Sequence, residues 1–263
     1  LMELLIVISI IALLMAILVP ALGKARKQAK DVACRANLRQ WALAFSMYTN
    51  ENDGRMFSRN AGYGTDPRTP YWYVLLKPYY RDAKLLLCPE AKTPTVDKNN
   101  NGTGARTPYA AWGFIFSPPY NIPPGYYGSY GLNYWVCDDP FPGYWKTTNV
   151  PQPGTIPVFG DCWMVCSNAL DWNPPPLYDG YIEGTDPGQL GRHCVNRHDG
   201  SVNMLFLDGS ARSVDLKELW TLRWSRDFDN ENFYTIAGHD GDRAACAAVW
   251  DSMAYWMRNM PEY

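Results

Sequence analysis

The apolar stretch near the start of the chain constrains its fold more than any other segment. Between Leu4 and Val19 only Ser9 is polar, and twelve of the sixteen residues are Leu, Ile or Val. At roughly −0.3 to −0.6 kcal/mol each, these twelve side chains favour membrane insertion by about 4 to 7 kcal/mol. Extended to Leu22, the run has about the ~20 residues that a helix needs to cross a bilayer. The residues that we assign to this apolar helix include Leu4, Leu5, Ile6, Ile10, Leu14 and Leu18.

Two residues are unusual in such a helix. Glu3 lies at the front edge of the apolar run, where a carboxylate carried deep into lipid costs up to ~3 kcal/mol. Pro20 lies inside the helical pattern, where it removes a backbone hydrogen bond and loosens the preceding turn. From composition alone an ordinary signal anchor remains open, with Glu3 among the lipid headgroups and Pro20 at the helix end.

The helical pattern continues beyond the apolar run. After Gly23 no Gly or Pro occurs before Gly54, and Gly54 suits the C-terminal cap of a helix. Apolar residues recur in this stretch at helical spacing, namely at Cys34, Leu38, Trp41, Phe45 and Tyr48. One helix from Leu1 to about Asn52 has a length of roughly 78 Å at 1.5 Å per residue. Its first half is wholly apolar and its second half is amphipathic, which predicts a rod that projects from a globular head.

The segment LMELLIVISIIALLMAILVPALGKAR resembles the N-terminus of type IV prepilins and type II secretion pseudopilins. In that family a leader peptidase cuts before an aromatic residue that is followed by Thr, Leu, a second apolar residue and Glu, and the new terminus is N-methylated. Leu1, Met2 and Glu3 match the last three of these positions, and Pro20 lies where the family has its helix-loosening proline. The Phe-Thr pair of the family is absent here, so the resemblance places two residues before Leu1.

Further stretches resemble the large-headed pilin-like proteins of planctomycetes and related bacteria. They are CRANLRQWALAFSMYTNENDGRM, CPEAK, SYGLNYW and RHDGSVNMLFLDGSARSVDLKELWTLRW. In the last, His198, nine intervening residues and then Asp208-Gly209 reproduce the His-x9-Asp-Gly signature of that group. We interpret His198 and Asp208 as structural, because no Ser or Cys nucleophile motif surrounds the histidine. The His198 ring is expected to bond backbone near the turn.

The rest of the chain predicts a globular head. Aromatic residues make up 14% of the sequence, with 21 Gly and 21 Pro, a composition that favours many turns held by aromatic packing. Apolar runs at 202–207 and 211–214 flank Asp208-Gly209, which is a strong signal for an antiparallel hairpin. We therefore predict an α+β, pilin-like fold, in which a long N-terminal helix packs on an antiparallel-sheet head with long loops. The helix occupies residues 1–54 and the head residues 55–263.

The seven cysteines are scattered and include no CxxC pair. In an exported protein several of them are expected to form disulfides. We predict one between Cys34, on the apolar stripe that faces the head, and Cys88, which ends an apolar run before Pro89 turns the chain away. The alternative is that each cysteine is a small apolar residue that fills space in the core.

Motifs for metals and cofactors are weak. Cys162 and Cys166, combined with His193 or Cys194, do not have the spacing of a standard zinc site. The residues that match the opening of an EF-hand loop are Asp97, Asn99, Asn101 and Gly102. The twelfth position of that loop is Pro108 where calcium binding requires Glu. We therefore predict no metal ligand and no cofactor, with calcium left as an open alternative.

The function implied by the resemblance is structural. A net charge of −2 gives no reason to expect a nucleic-acid partner, and no nucleophile elbow, metal motif or phosphate loop indicates an enzyme. The family forms homo-oligomeric helical filaments, either type IV pili or pseudopili, held together by the N-terminal helices. Glu3 there neutralises the N-terminal amine of a neighbouring subunit.

The resemblance also implies partners and a location. These are a prepilin peptidase, an assembly platform and the inner membrane before assembly, and then an extracellular or periplasmic filament of the bacterial cell envelope. The alternative is a membrane-anchored surface protein whose aromatic-rich head binds polysaccharide.

Overall fold

One long helix and a set of short strands make up the regular structure. The computed structural model describes residues 2–58, 71–94, 107–114, 126–179 and 188–263. Its helices are α1 (Met2–Glu51), α2 (Trp72–Leu75), α3 (Gly188–Gly191) and α4 (Arg243–Met253). Its strands are β1 (Phe57–Ser58), β2 (Thr93–Pro94), β3 (Ala110–Phe114), β4 (Tyr126–Gly128), β5 (Tyr130–Asn133), β6 (Cys137–Asp138), β7 (Pro157–Asp161), β8 (Cys166–Ser167), β9 (Ser201–Phe206) and β10 (Ala211–Asp215). The EF-hand-like residues 97–102 and the side chains of Leu4 and Leu5 lie outside the described residues.

Helix α1 has the continuous form that the sequence predicts. It contains 50 residues and runs through Pro20, which corresponds to about 75 Å. It ends where two successive residues, Asp53 and Gly54, adopt left-handed φ angles of 54° and 75°. The Gly54 amide then donates a hydrogen bond to the Thr49 carbonyl at 2.8 Å, which satisfies an otherwise unpaired carbonyl of the last turn.

A five-stranded sheet forms the centre of the head. Its strand order is β10-β9-β7-β5-β8. The pairs β10/β9, β9/β7 and β7/β5 are antiparallel, and β5/β8 is parallel. Two smaller sheets have the orders β2-β3-β4 and β1-β6. The predicted α+β fold, with a long helix on a mainly antiparallel head, is confirmed.

The β9–β10 hairpin has the turn that its Asp-Gly pair predicts. Gly209 adopts a φ of 83°, a conformation that costs least for a residue without Cβ. The Asp208 carboxylate accepts a hydrogen bond from the Ser210 amide at 2.8 Å. Leu205 then pairs with Ala211, so that both strands keep a regular antiparallel register.

Strand β9 separates two apolar cores, and all six of its residues are buried. Leu205 belongs to a core that contains Trp41 of α1. Met204, on the opposite face, belongs to a core that contains Trp220 and Trp250. Because side chains alternate across a strand, α1 covers one face of the sheet and the C-terminal segment covers the other.

Trp41 is the central contact between α1 and the head. Its ring centroid lies 5.1 Å from that of Trp72, 4.8 Å from Tyr80 and 6.1 Å from Phe159. The indole Nε1 donates to the Leu85 carbonyl at 2.9 Å, so its one polar group is satisfied inside the core. The side chain is completely buried.

We expect Trp41→Ala to lower the free energy of unfolding by about 3–5 kcal/mol, because it leaves a cavity and an unpaired carbonyl. Leu43→Ala is the matched control: Leu43 lies two residues away on α1 but is 67% exposed, so its loss should change stability by no more than about 0.5 kcal/mol. Urea unfolding of the full chain in detergent, followed by tryptophan fluorescence, measures both. Equal effects of the two substitutions would contradict this packing.

Candidate functional site

The apolar half of α1 projects from the head with its side chains exposed. The most apolar window of the helix has a mean hydropathy of 2.8 and none of it is buried. Its exposed large apolar residues include Ile6, Val7, Ile8, Ile10, Ile11, Leu13, Leu14, Met15, Ile17, Leu18, Val19 and Leu22. Glu3 lies exposed in the first turn, and Pro20 lies within the helix. By length and composition this helix is able to cross a membrane.

The contact between α1 and the head begins just after the apolar half. Lys27 pairs with Asp199 at 2.7 Å, and Lys30 pairs with Glu90 at 2.9 Å. Exposed ion pairs of this kind contribute little to stability. They do mark the point at which the helix passes from its exposed part onto the head.

A cluster of four buried side chains lies directly beyond that point, where α1 crosses the sheet. It consists of Cys34, Cys88, Asp161 and His198, whose donor atoms all lie within 4.8 Å of one another. Cys34 belongs to α1, and Asp161 is the last residue of β7. Cys88 follows the 3-10 helix Ala83–Leu86, and His198 lies in the loop before β9. Four segments that are distant in sequence therefore converge on one point.

The distances within this Cys-Cys-Asp-His cluster are short. The His198 Nε2 lies 3.1 Å from the Asp161 Oδ2 and 3.5 Å from the Cys88 Sγ. The Cys34 Sγ lies 3.7 Å from the same Oδ2 and 3.9 Å from the Oδ1. The Tyr130 hydroxyl donates to the Cys34 Sγ at 3.2 Å.

Arg197 supports the cluster from beneath with a completely buried side chain. Its Nη1 donates to the Asp161 Oδ1 at 3.1 Å. Its other acceptors are the carbonyl oxygens of Pro108, Ala110, Ser129 and Cys162. A guanidinium has five N–H groups, so every donor of Arg197 has a partner and its buried charge is compensated.

Asp31 of α1 flanks the cluster on its outer side. Its Oδ1 lies 3.6 Å from the His198 Nδ1 and accepts from the Asn203 Nδ2 at 2.7 Å. Its Oδ2 accepts from Arg35 at 2.8 Å. The backbone amide of Asn203 in turn donates to the Asp161 Oδ2 at 2.9 Å. Both carboxylates are thus fixed by hydrogen bonds from the helix and from β9.

The charges in the cluster shift its pKa values. Burial raises the pKa of Asp161, but the nearby His198 and Arg197 outweigh burial and hold that pKa well below its usual range. Burial lowers the pKa of His198, but the Asp161 carboxylate outweighs it and raises this pKa to about 10. Burial raises the pKa of Cys88, but the hydrogen bonds with Cys34 and His198 and the charge of Arg197 together outweigh burial and lower that pKa. The raised pKa of His198 and the lowered pKa of Asp161 both favour an ion pair between the two side chains.

The surroundings of His198, Cys34 and Cys88 bear on two expectations drawn from the sequence. The expectation that the His198 ring bonds backbone is wrong, because the ring faces the side chains of Asp31, Asp161 and Cys88. Cys34 and Cys88 do come together, and both are thiols. The disulfide between them stays a prediction.

The prediction that the chain has no metal ligands stays a prediction, although one group of potential ligands does converge in the structure. Among the described residues, the potential ligands that converge are Cys34, Cys88, Asp161 and His198. The zinc site considered from the sequence, Cys162 and Cys166 with His193 or Cys194, does not form such a group among those residues. Asp161 belongs to no motif in the sequence. Its one local signal is that a charged residue follows the uncharged run Ile156-Pro-Val-Phe-Gly, which suggests a buried carboxylate at the end of a strand.

Comparison of the chain with protein-family models, with curated proteins and with solved structures found no match in any of the three. The resemblance to pilins therefore rests on the sequence motifs. What the structure adds is a long apolar N-terminal helix on a head that contains a β-sheet, a layout consistent with a pilin-like protein.

We expect Arg197→Lys to lower the free energy of unfolding by about 3–5 kcal/mol. Lysine keeps the charge but has three donors and no planar fork, so buried carbonyl groups lose their partners. Arg223→Lys is the control, because Arg223 is a partly exposed residue that donates to the Pro151 carbonyl at 3.2 Å. Urea unfolding of the full chain measures both variants. If the Arg197→Lys protein is as stable as the Arg223→Lys protein, the hydrogen bonds of the buried Arg197 guanidinium are not needed for stability.

Proposed function

We propose that the chain is the subunit of a helical filament of the type IV pilin or pseudopilin kind. The observation that carries this proposal is the division of α1 into an exposed apolar half and a second half that packs one face on the head. An apolar surface of this length is unstable in water and needs a covering partner. A bilayer covers it before assembly, and the apolar helices of neighbouring subunits cover it in a filament.

The continuity of α1 favours a filament over a simple anchor. The helix is unbroken between the apolar half and the core residue Trp41, so the head has a fixed direction relative to the apolar rod. Identical rods with rigidly attached heads pack side by side with the heads outside, which is the geometry of a helical filament.

Glu3 supports the same proposal. A carboxylate at the front of an apolar helix is costly in lipid unless it is paired. In a filament the N-terminal amine of a neighbouring subunit supplies the opposite charge, as the family resemblance implies. The cost of burying Glu3 is then offset by assembly, which makes this residue a determinant of polymerisation.

The proposal places the protein in the bacterial cell envelope. The subunit enters the inner membrane, a prepilin peptidase processes it, and an assembly platform extracts it into an extracellular or periplasmic filament. Its role is structural, and the head forms the outer surface of the filament.

We expect Glu3→Ala to leave an inserted subunit that assembles poorly, with filament yield reduced at least tenfold. The reason is that the amine of the neighbouring subunit loses its counter-charge in an apolar core. Electron microscopy and quantification of filaments sheared from the source cells measure the yield. Membrane fractions from the same cells measure insertion.

The matched control for this experiment is Glu231→Ala. It removes one exposed carboxylate from the head and should leave filament yield unchanged. Normal yield from Glu3→Ala would sink the assembly role of Glu3. Sheared material without filaments, together with binding of the head to polysaccharide, would favour the surface-anchored alternative.

A second expectation concerns Pro20, which α1 contains without a break in this single subunit. Pro20 has no N–H to donate to the Ala16 carbonyl, so this turn is the weakest point of the helix. We expect residues 13–19 to be unwound in the filament, where packed neighbours shield the freed backbone groups. A cryo-electron microscopy map of the filament tests this, and unbroken helix from residue 4 to residue 25 would refute it.

A further inference from the structure

Three of the donor–donor separations in the Cys-Cys-Asp-His cluster are close to those in a tetrahedral zinc site, and all four donors lie within 4.8 Å of one another. With Zn–S bonds of about 2.3 Å and Zn–N or Zn–O bonds of about 2.0 Å, tetrahedral corners lie roughly 3.3 Å apart for an N–O pair and about 3.5–3.6 Å for S–N or S–O pairs. The observed separations are 3.1 Å between His198 Nε2 and Asp161 Oδ2, and 3.5 Å between that nitrogen and Cys88 Sγ. The Cys34 Sγ lies 3.7 Å from the Asp161 Oδ2.

Hydrogen bonds alone leave the contacts of the two sulfur atoms with His198 and Asp161 weak. The His198 Nε2 faces both a carboxylate oxygen and a sulfur, but a single proton on that nitrogen serves only one of them well. The two contacts of the Cys34 Sγ with Asp161, at 3.7 and 3.9 Å, are long. A cation at the centre would contact all four donors at once.

We propose that Cys34, Cys88, Asp161 and His198 bind one Zn²⁺ ion. Two thiolates, an imidazole and a carboxylate in a tetrahedral arrangement select zinc over calcium or magnesium, which need more ligands and all-oxygen sites. Four protein ligands that are all buried make a closed site, which is the structural and not the catalytic type.

The surrounding charges match those of a zinc-bound cluster. Two thiolates and the Asp161 carboxylate carry three negative charges, and Zn²⁺ together with Arg197 carries three positive charges. Tyr130 donates to the Cys34 sulfur, and the Asp31 carboxylate lies 3.6 Å from the His198 Nδ1, on the side that would carry the ring proton when Nε2 binds the metal. Hydrogen bonds of this kind orient metal ligands and tune their basicity.

A cavity beside the cluster supplies an access route for the ion. It has a volume of about 340 Å³, and its lining includes Asp31, Glu90, His198 and Ser201. Lys24 and Lys27 in the lining balance the charge of these two carboxylates, and His198 belongs both to the cavity lining and to the cluster. The metal can therefore reach the site in the folded protein.

The zinc would join α1 to three segments of the head. Cys34 lies on the helix, whereas Cys88, Asp161 and His198 come from separate parts of the head, so a single ion fixes the helix to the sheet. The same two thiols cannot bind zinc as thiolates and form a disulfide. The zinc site thus replaces the Cys34–Cys88 disulfide, and it holds independently of whether the protein forms filaments.

The first test uses the wild-type full chain, purified in detergent without a metal-affinity step. We expect one zinc per chain by mass spectrometry of the metal. Replacement by Co²⁺ should give thiolate-to-cobalt charge-transfer absorption and the intense visible bands of tetrahedral cobalt. Two results would overturn the proposal: failure of the reduced protein to take up Zn²⁺ or Co²⁺, or recovery of Cys34 and Cys88 as a disulfide from native material.

The second test compares ligand variants with a matched cysteine. Cys88→Ala and His198→Ala should each bind zinc at least a hundredfold more weakly. Cys246→Ala should bind within about twofold of wild type, because Cys246 is a buried thiol of the other core. Folded Cys88→Ala and His198→Ala proteins that keep wild-type zinc affinity would rule the site out.

A third variant decides the matter if the ligand variants do not fold. Tyr130→Phe keeps the buried ring and removes only the hydroxyl that donates to the Cys34 sulfur. We expect it to weaken zinc binding by about 10–100-fold. It should also shift the cobalt charge-transfer band, which a purely structural tyrosine would not move. An unchanged affinity and spectrum would contradict the proposed coordination of Cys34.

Discussion

The packing of the second half of α1 against the five-stranded sheet is the contact on which the rest of the molecule depends. Trp41 lies at its centre, in ring contact with Trp72, Tyr80 and Phe159 and hydrogen-bonded to the Leu85 carbonyl. Because α1 is one continuous helix, this contact also sets the direction in which the exposed apolar half leaves the head. The head and the rod are therefore a single mechanical unit.

The same contact creates the polar site at the junction. A helix that crosses the sheet above the end of β7 brings Cys34 over Asp161. Arg197 then compensates the buried carboxylate and ties its own loop to the carbonyl groups of several strands and turns. Because Arg197 is fixed in this way, the adjacent His198 is held against α1. Buried charges are costly unless every donor and acceptor is paired, so the network specifies one arrangement of helix, sheet and loop.

The features that the sequence predicts correctly are those encoded within a few neighbouring residues. The long helix follows from its apolar run and from the spacing of Cys34 to Tyr48, and its end follows from Gly54. The hairpin follows from Asp208-Gly209 between two apolar runs. His198 stands out in the sequence as part of a signature, but its contacts are with residues far along the chain. The expectation that its ring bonds backbone near the turn considered only neighbouring residues, and for that reason it is wrong.

The sequence by itself determines that this chain has an apolar helix able to cross a membrane, joined without a break to an aromatic-rich α+β head. Helical periodicity and hydrophobicity decide this, since both act between residues three or four positions apart. Only the tertiary structure decides that Cys34, Cys88, Asp161 and His198 meet within 4.8 Å. Their meeting depends on strand order, register and loop path, which result from the summed packing of the whole head and not from any short stretch of residues.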